Sequence, residues 1–113
     1  MNIFPPKTNS TPTIYAYSLP NDSSRVEQLK VGYTTRSAQE RIKEQVGATR
    51  AEYRIELEES ALRSDGSTIS DHEVHRYLKK QGFANPDGEW IKCQVENVKA
   101  ALEAIKNGEE YEI

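Results

Sequence analysis

Cysteine is almost missing from this chain: Cys93 is the one thiol in 113 residues. A lone thiol excludes an internal disulfide framework and a cysteine-based zinc site, and makes a reducing, cytoplasmic setting the default expectation. Long apolar runs are missing as well. No stretch approaches the about 20 residues that cross a bilayer, and the opening MNIFPPKTNSTP lacks the basic-then-apolar order of a secretory signal. No membrane partner is expected. An excess of positive charge is the third absence. The formal net charge is −3 and the sequence pI about 5.4, whereas a protein that coats nucleic acid without discrimination is basic overall.

The residues that are present suit one small domain. Hydrophobic residues make up 35% and charged residues 29%. That is polar, yet the apolar positions are patterned, which argues for a packed core rather than disorder. The charges are unevenly spread. Between Lys30 and Arg54 there are six basic residues against three acidic ones, while from Gln94 onward two basic residues face five acidic ones. A local basic face is compatible with a nucleic-acid partner; a solvated helix face explains the same charges.

Residues 1–12 hold three prolines and read as a flexible leader. Residues 13–19 (TIYAYSL) and 28–33 (QLKVGY) are rich in strand formers, and the turn-rich PNDSSRVE between them makes a hairpin with a long loop. Tyr53, Ile55 and Leu57 alternate with Arg54, Glu56 and Glu58, which predicts a half-buried strand with one wet face. Three helices complete the pattern, over 38–46, 71–81 and 95–106. Ser37 with Glu40 and Ser70 with Glu73 are capping boxes, Ile69 and Val74 a hydrophobic staple, and Gly47, Gly82 and Gly108 stops. Asn85-Pro86-Asp87-Gly88 is a turn leading into the extended Glu89-Trp90-Ile91-Lys92-Cys93. The expected fold is α+β: a small, mainly antiparallel sheet of three to four strands flanked by three helices. It is expected to span 13–108, with 109–113 an acidic tail that could begin a linker to a further domain.

Several of these elements carry an ordered set of motifs. The first strand holds Thr13-Ile14-Tyr15 and the second Lys30-Val31-Gly32. Arg41 stands nine residues beyond Gly32, and acidic residues open the helix at 71. In this order the set resembles the GIY-YIG nuclease superfamily. Lys30-Val31-Gly32 followed by Tyr33-Thr34-Thr35-Arg36, then His75 and Glu89-Trp90, is similar to the branch with a KIG or KVG second motif, found beside restriction-enzyme motors and in phage and bacterial proteins. Two positions depart from the pattern: Thr13 replaces the glycine of GIY, and Lys30 the tyrosine of YIG. Tyr17 or Tyr33 are the available substitutes for that tyrosine.

The resemblance implies an endonuclease that hydrolyses DNA phosphodiester bonds with Mg2+ or Mn2+. Arg41 would bind the phosphate, with Arg36 the next choice; the alternative for Arg41 is a surface ion pair with Glu44 or Glu40. Tyr15 would orient the attacking water, or deprotonate it if Lys30 or the metal lowers its pKa. Lys30 could instead contact phosphate. On the helix at 71, Asp71 and His75 border the apolar stripe of Val74 and Leu78 while Glu73 points away, so Asp71 is preferred as metal ligand and His75 as proton shuttle or phosphate contact. Asp71 also has a plain role complementing the helix dipole. Glu89 runs in phase with Ile91 and Cys93, which would bury it as a second ligand or as a partner of Arg41. Arg36, Lys43 and Tyr33 are candidate nucleic-acid contacts. A zinc-protease reading of His72-Glu73-Val74-His75 fails on spacing, because the histidines stand three apart rather than four. The competing functions are a DNA-binding module without cleavage and an interaction domain attached to a helicase or targeting domain in a larger protein.

Overall fold

The computed structural model describes residues 12–47 and 51–108. Its elements run β1 (Thr13–Ser18), β2 (Leu29–Thr34), α1 (Ala38–Val46), β3 (Arg54–Ser60), α2 (Asp71–Lys80), β4 (Trp90–Ile91) and α3 (Val95–Lys106), with one 3-10 turn at Ser23–Arg25. All strand pairs are antiparallel, in the order β3-β1-β2-β4. This is the expected α+β architecture. Most of the leader and the acidic tail lie outside the described residues. Pro12, assigned to that leader, belongs to the sheet margin instead, since its carbonyl accepts the Ala61 amide at 2.9 Å.

Local sequence accounts for the helix starts. Ser37 Oγ accepts the Glu40 amide, and Ser70 and Glu73 form a complete reciprocal box at α2. Ile69 and Val74, on either side of that box, are both fully buried in one cluster. Gly82 ends α2 with φ 99°, a conformation in which a side chain is strained.

The sheet is covered on both faces. Ile14, Ala16 and Val31 point to α2 and α3, where they join Val74, Leu78 and Leu102. Tyr15 and Tyr17 point the other way and pack with Ala38 and Ile42 of α1 and with Trp90. β3 departs from the sequence expectation. Its pairing with β1 shifts between Ala16 and Tyr17, so Ala16 faces Leu57 while Tyr17 faces Ile55. Glu56 is the extra residue of this bulge. Leu57 therefore lies in the α2/α3 core, and Tyr53 and Ile55 pack on the α1 side. Strict alternation predicts one shared face; the bulge divides the three residues between two.

β4 is short, and this matters for the site. It pairs only with Leu29 and Lys30. The rest of β2 forms a sheet edge, where the Val31 amide donates to the Glu89 carbonyl at 3.1 Å and the Val31 carbonyl meets His75 Nε2 at 3.0 Å.

Candidate active site

Tyr15 and Gly32 are direct cross-strand partners. The Tyr15 ring lies over Gly32 so closely that a Cβ there would stand 2.5 Å from Cζ and 3.0 Å from Cε1. Only glycine leaves room for the ring, which gives the glycine of the second motif a physical reason. Beside it, the Tyr15 and Tyr17 rings stack with centroids 6.3 Å apart, and Trp90 meets Tyr17 edge-on at 5.8 Å. The Arg25 guanidinium covers Trp90 at 4.4 Å and pairs with Asp87 at 2.8 Å, tying the 3-10 turn to the β4 turn.

Gln45 is the residue that sequence reasoning missed. Tyr17 Oη donates to its Oε1 at 3.0 Å, and its Nε2 donates to Tyr15 Oη at 3.0 Å. One amide thus serves two buried phenols. The available signal was an amide at Gln45 on the stripe formed by Ala38, Ile42 and Val46, where an apolar residue is the default.

Burial is the main cause that pushes the Tyr15 phenol above its ordinary range. The Gln45 bond opposes it, Glu89 adds to it, Arg41 opposes it and Asp71 adds to it. Tyr17 is pushed up to about 12 by burial first, then by Tyr15 and Glu89. A lowered Tyr15 pKa is therefore not what this arrangement produces. Tyr15 is a neutral, 1% exposed phenol, suited to holding a position rather than to taking a proton. The cation that acts on it is Arg41.

Those charges also locate the other candidates. Arg41 is half-buried on α1 and bonds Glu44 only at 3.4 Å, while Arg36 takes both Glu44 oxygens at 2.7 and 2.8 Å. Arg41 is thus loosely held beside the tyrosines, and Arg36 is committed to a surface pair that lowers the Glu44 pKa. Asp71, in the first turn of α2, is half-buried, whereas Glu73 is occupied by Ser70 N and by Arg63 at 2.8 Å. Glu89 is also half-buried, but not by strand phase. A turn closed by the Trp90 amide on the Asp87 carbonyl at 2.9 Å precedes β4, and from there the Glu89 charge bears on both tyrosines.

His75 is buried and its Nε2 faces a carbonyl, which can only accept; Nε2 therefore carries the proton. His72 is exposed. Lys30 lies in register between Tyr17 and Trp90, on the tyrosine face. Lys43 is exposed on α1. Tyr33 packs against the α2/α3 core, on the opposite face from Tyr15, so it is not a spatial substitute for the missing motif tyrosine. Tyr17 is on the right face, 2% exposed, with its proton given to Gln45.

Among the described residues no group of three or more His, Cys, Asp and Glu side chains is placed to hold a metal ion. Two carboxylates, Asp71 and Glu89, bear on one phenol. Carboxylate oxygens are donors of the kind a hard cation takes, and differ from the nitrogen and sulfur donors of a structural zinc site.

Fold and site together define a small α+β domain with a buried tyrosine cluster on an inner strand and charged residues around it. The chain belongs to the T5orf172 domain family, whose model matches residues 13–106, a domain found in nuclease-like proteins of phages and bacteria. No curated protein and no solved structure shows a significant match.

Proposed function

We propose that this domain is a GIY-YIG-type endonuclease module that hydrolyses DNA phosphodiester bonds with a divalent cation, as the nuclease part of a restriction or phage-related system. The observation that carries this reading is the Tyr15–Gly32 pair, with Arg41, Asp71 and Glu89 all acting electrostatically on the same phenol. Family membership supports it.

Phosphodiester hydrolysis needs a positioned water, charge neutralisation at phosphorus and help for the leaving oxygen. Arg41 would supply a planar guanidinium for the phosphate oxygens. Tyr15, kept neutral by burial and bonded to Gln45, would present a fixed hydroxyl to the reacting centre. Asp71 and Glu89 would hold Mg2+ or Mn2+, which when bound lowers the pKa of water and offsets phosphate charge. Lys30 adds positive charge on the same face.

The test is nicking of supercoiled plasmid with Mg2+ or Mn2+ by wild type, Arg41→Ala and Asp71→Ala. Loss of one preorganised phosphate donor is expected to lower the rate by about 10²-fold or more. Metal-dependent nicking that both substitutions abolish supports the reading. DNA binding without nicking favours a second reading, a binding module that has lost cleavage. Burial of both site tyrosines and Lys30 at the second motif are the observations on its side.

A further inference from the structure

We propose that the exposed flank of α2 is the track that holds the DNA backbone and leads it to the tyrosine site. This deepens the nuclease reading and rests on it.

A depression of about 550 Å³ runs along α2, with His72, Arg76, Lys79 and Lys80 on the helix side and Asn85 and Gly88 opposite. His75 lines the same depression. The basic residues follow helical spacing, so they form one stripe; from His72 to Lys80 it is about 12 Å long at 1.5 Å per residue. On B-DNA, one strand places a charge about every 3.4 Å of axis, so the stripe faces about three phosphates.

Three observations favour this occupant. Among the described residues no acidic side chain lines the depression, although the chain as a whole has 18 acidic residues against 15 basic ones. Its charges are also uncommitted. Arg25, Arg36, Arg41, Arg54 and Arg63 each have an acidic partner within 4.0 Å, whereas Arg76 is the one described arginine with none; Lys79 and Lys80 share that lack with the other described lysines. Lys79 and Lys80 complement the C-terminal dipole of α2, but the dipole explains neither Arg76 nor the facing turn. Thirdly, the track adjoins the two candidate carboxylates along the chain. Asp71 precedes His72 on the helix, Glu89 follows Gly88 on the opposite wall, and both carboxylates act on Tyr15. His75 joins the depression to the edge of β2 through the Val31 carbonyl, next to Gly32.

The experiment is the salt dependence of duplex DNA binding by the full chain, read by fluorescence anisotropy with a labelled oligonucleotide. Wild type is compared with Arg76→Ala/Lys79→Ala/Lys80→Ala and with a control on α3, Lys99→Ala/Lys106→Ala. Each phosphate contact contributes about 0.9 to the slope of log K against log salt, so the triple variant is expected to lose about 2 to 3 from the slope and the control nothing. The milder pair Lys79→Gln/Lys80→Gln, expected to lose about 2 on the same scale, keeps the test open should the triple variant fold poorly. A variant that binds DNA with the wild-type slope overturns the track and leaves the nuclease reading standing. A slope loss in a protein that never nicks DNA supports the track while cleavage falls. Wild type that neither binds nor nicks overturns both, and displacement of DNA by polyglutamate at equal charge concentration overturns the choice of occupant.

Discussion

A methyl group at Gly32 has nowhere to go. It would overlap the Tyr15 ring, which is 1% exposed and enclosed by its neighbours. Gly32→Ala is therefore expected to cost about 1–3 kcal/mol through overpacking, measured by denaturant unfolding, and to remove nicking by displacing the phenol. Gln45→Leu leaves the hydroxyls of Tyr15 and Tyr17 without their partner. About 1–3 kcal/mol of destabilisation is expected from those buried unsatisfied groups, with a loss smaller than that in Tyr17→Phe/Gln45→Leu, if any, counting against the bridging role. The tyrosines also set an alkaline limit. Tyr17 is pushed up to about 12 in the folded state from an ordinary value of 10.0, so the folded protein holds its proton more tightly. Its contribution is fully present below pH 10 and lost as pH rises toward 12. Cys93, pushed up to about 11 by burial, acts in the same direction. Wild type is expected to lose thermal stability across this range, and Tyr17→Phe to lose less; equal slopes for both would sink the assignment.

At the scale of elements, α2 depends on its first turn. Ser70 and Glu73 satisfy one another's backbone amides, and Glu73 also holds Arg63. Ser70→Ala is expected to cost about 1 kcal/mol, or about 4 °C in Tm for a domain of this size, and to weaken nicking further because Asp71 sits in that turn. β3 gives a contrasting case. The bulge at Glu56 places Leu57, 5% exposed, in the α2/α3 core. Leu57→Ala is expected to destabilise by about 2–4 kcal/mol; a cost below 1 kcal/mol, measured by the same unfolding experiment, would mean that the strand has the unbulged register with Leu57 at the α1 side. Helix starts were legible in the sequence because a cap is a contact between residues three apart. The bulge was not, because it is set by how β3 meets β1, and those strands are far apart in the chain.

For the whole molecule, sign and placement of charge decide more than the total. Net charge is −3, yet α2 carries an uncommitted basic stripe while the other described arginines are neutralised by neighbours. In the proposed reading Asp71 and Glu89, from two separate elements, would hold the cation as a reagent rather than as a staple of the fold. Chelation with EDTA is expected to abolish nicking while leaving Tm in place; a large fall in Tm would show that the metal holds the fold.

The order of strands and helices and the caps of α1 and α2 were determined by the sequence alone, whereas Tyr15, Gly32 and Arg41 were singled out by the family resemblance. Order and caps rest on periodicity, short-range hydrogen bonding and residue type, which are local. The tertiary structure decided what depends on long-range approach: that Tyr15 closes over Gly32, that one Gln45 amide serves two phenols, that Tyr33 faces away from them, and that Glu89 reaches the site from a turn rather than from strand phase. Each of these joins residues from different strands or helices, and their separation in space is fixed only when the two faces of the sheet are packed.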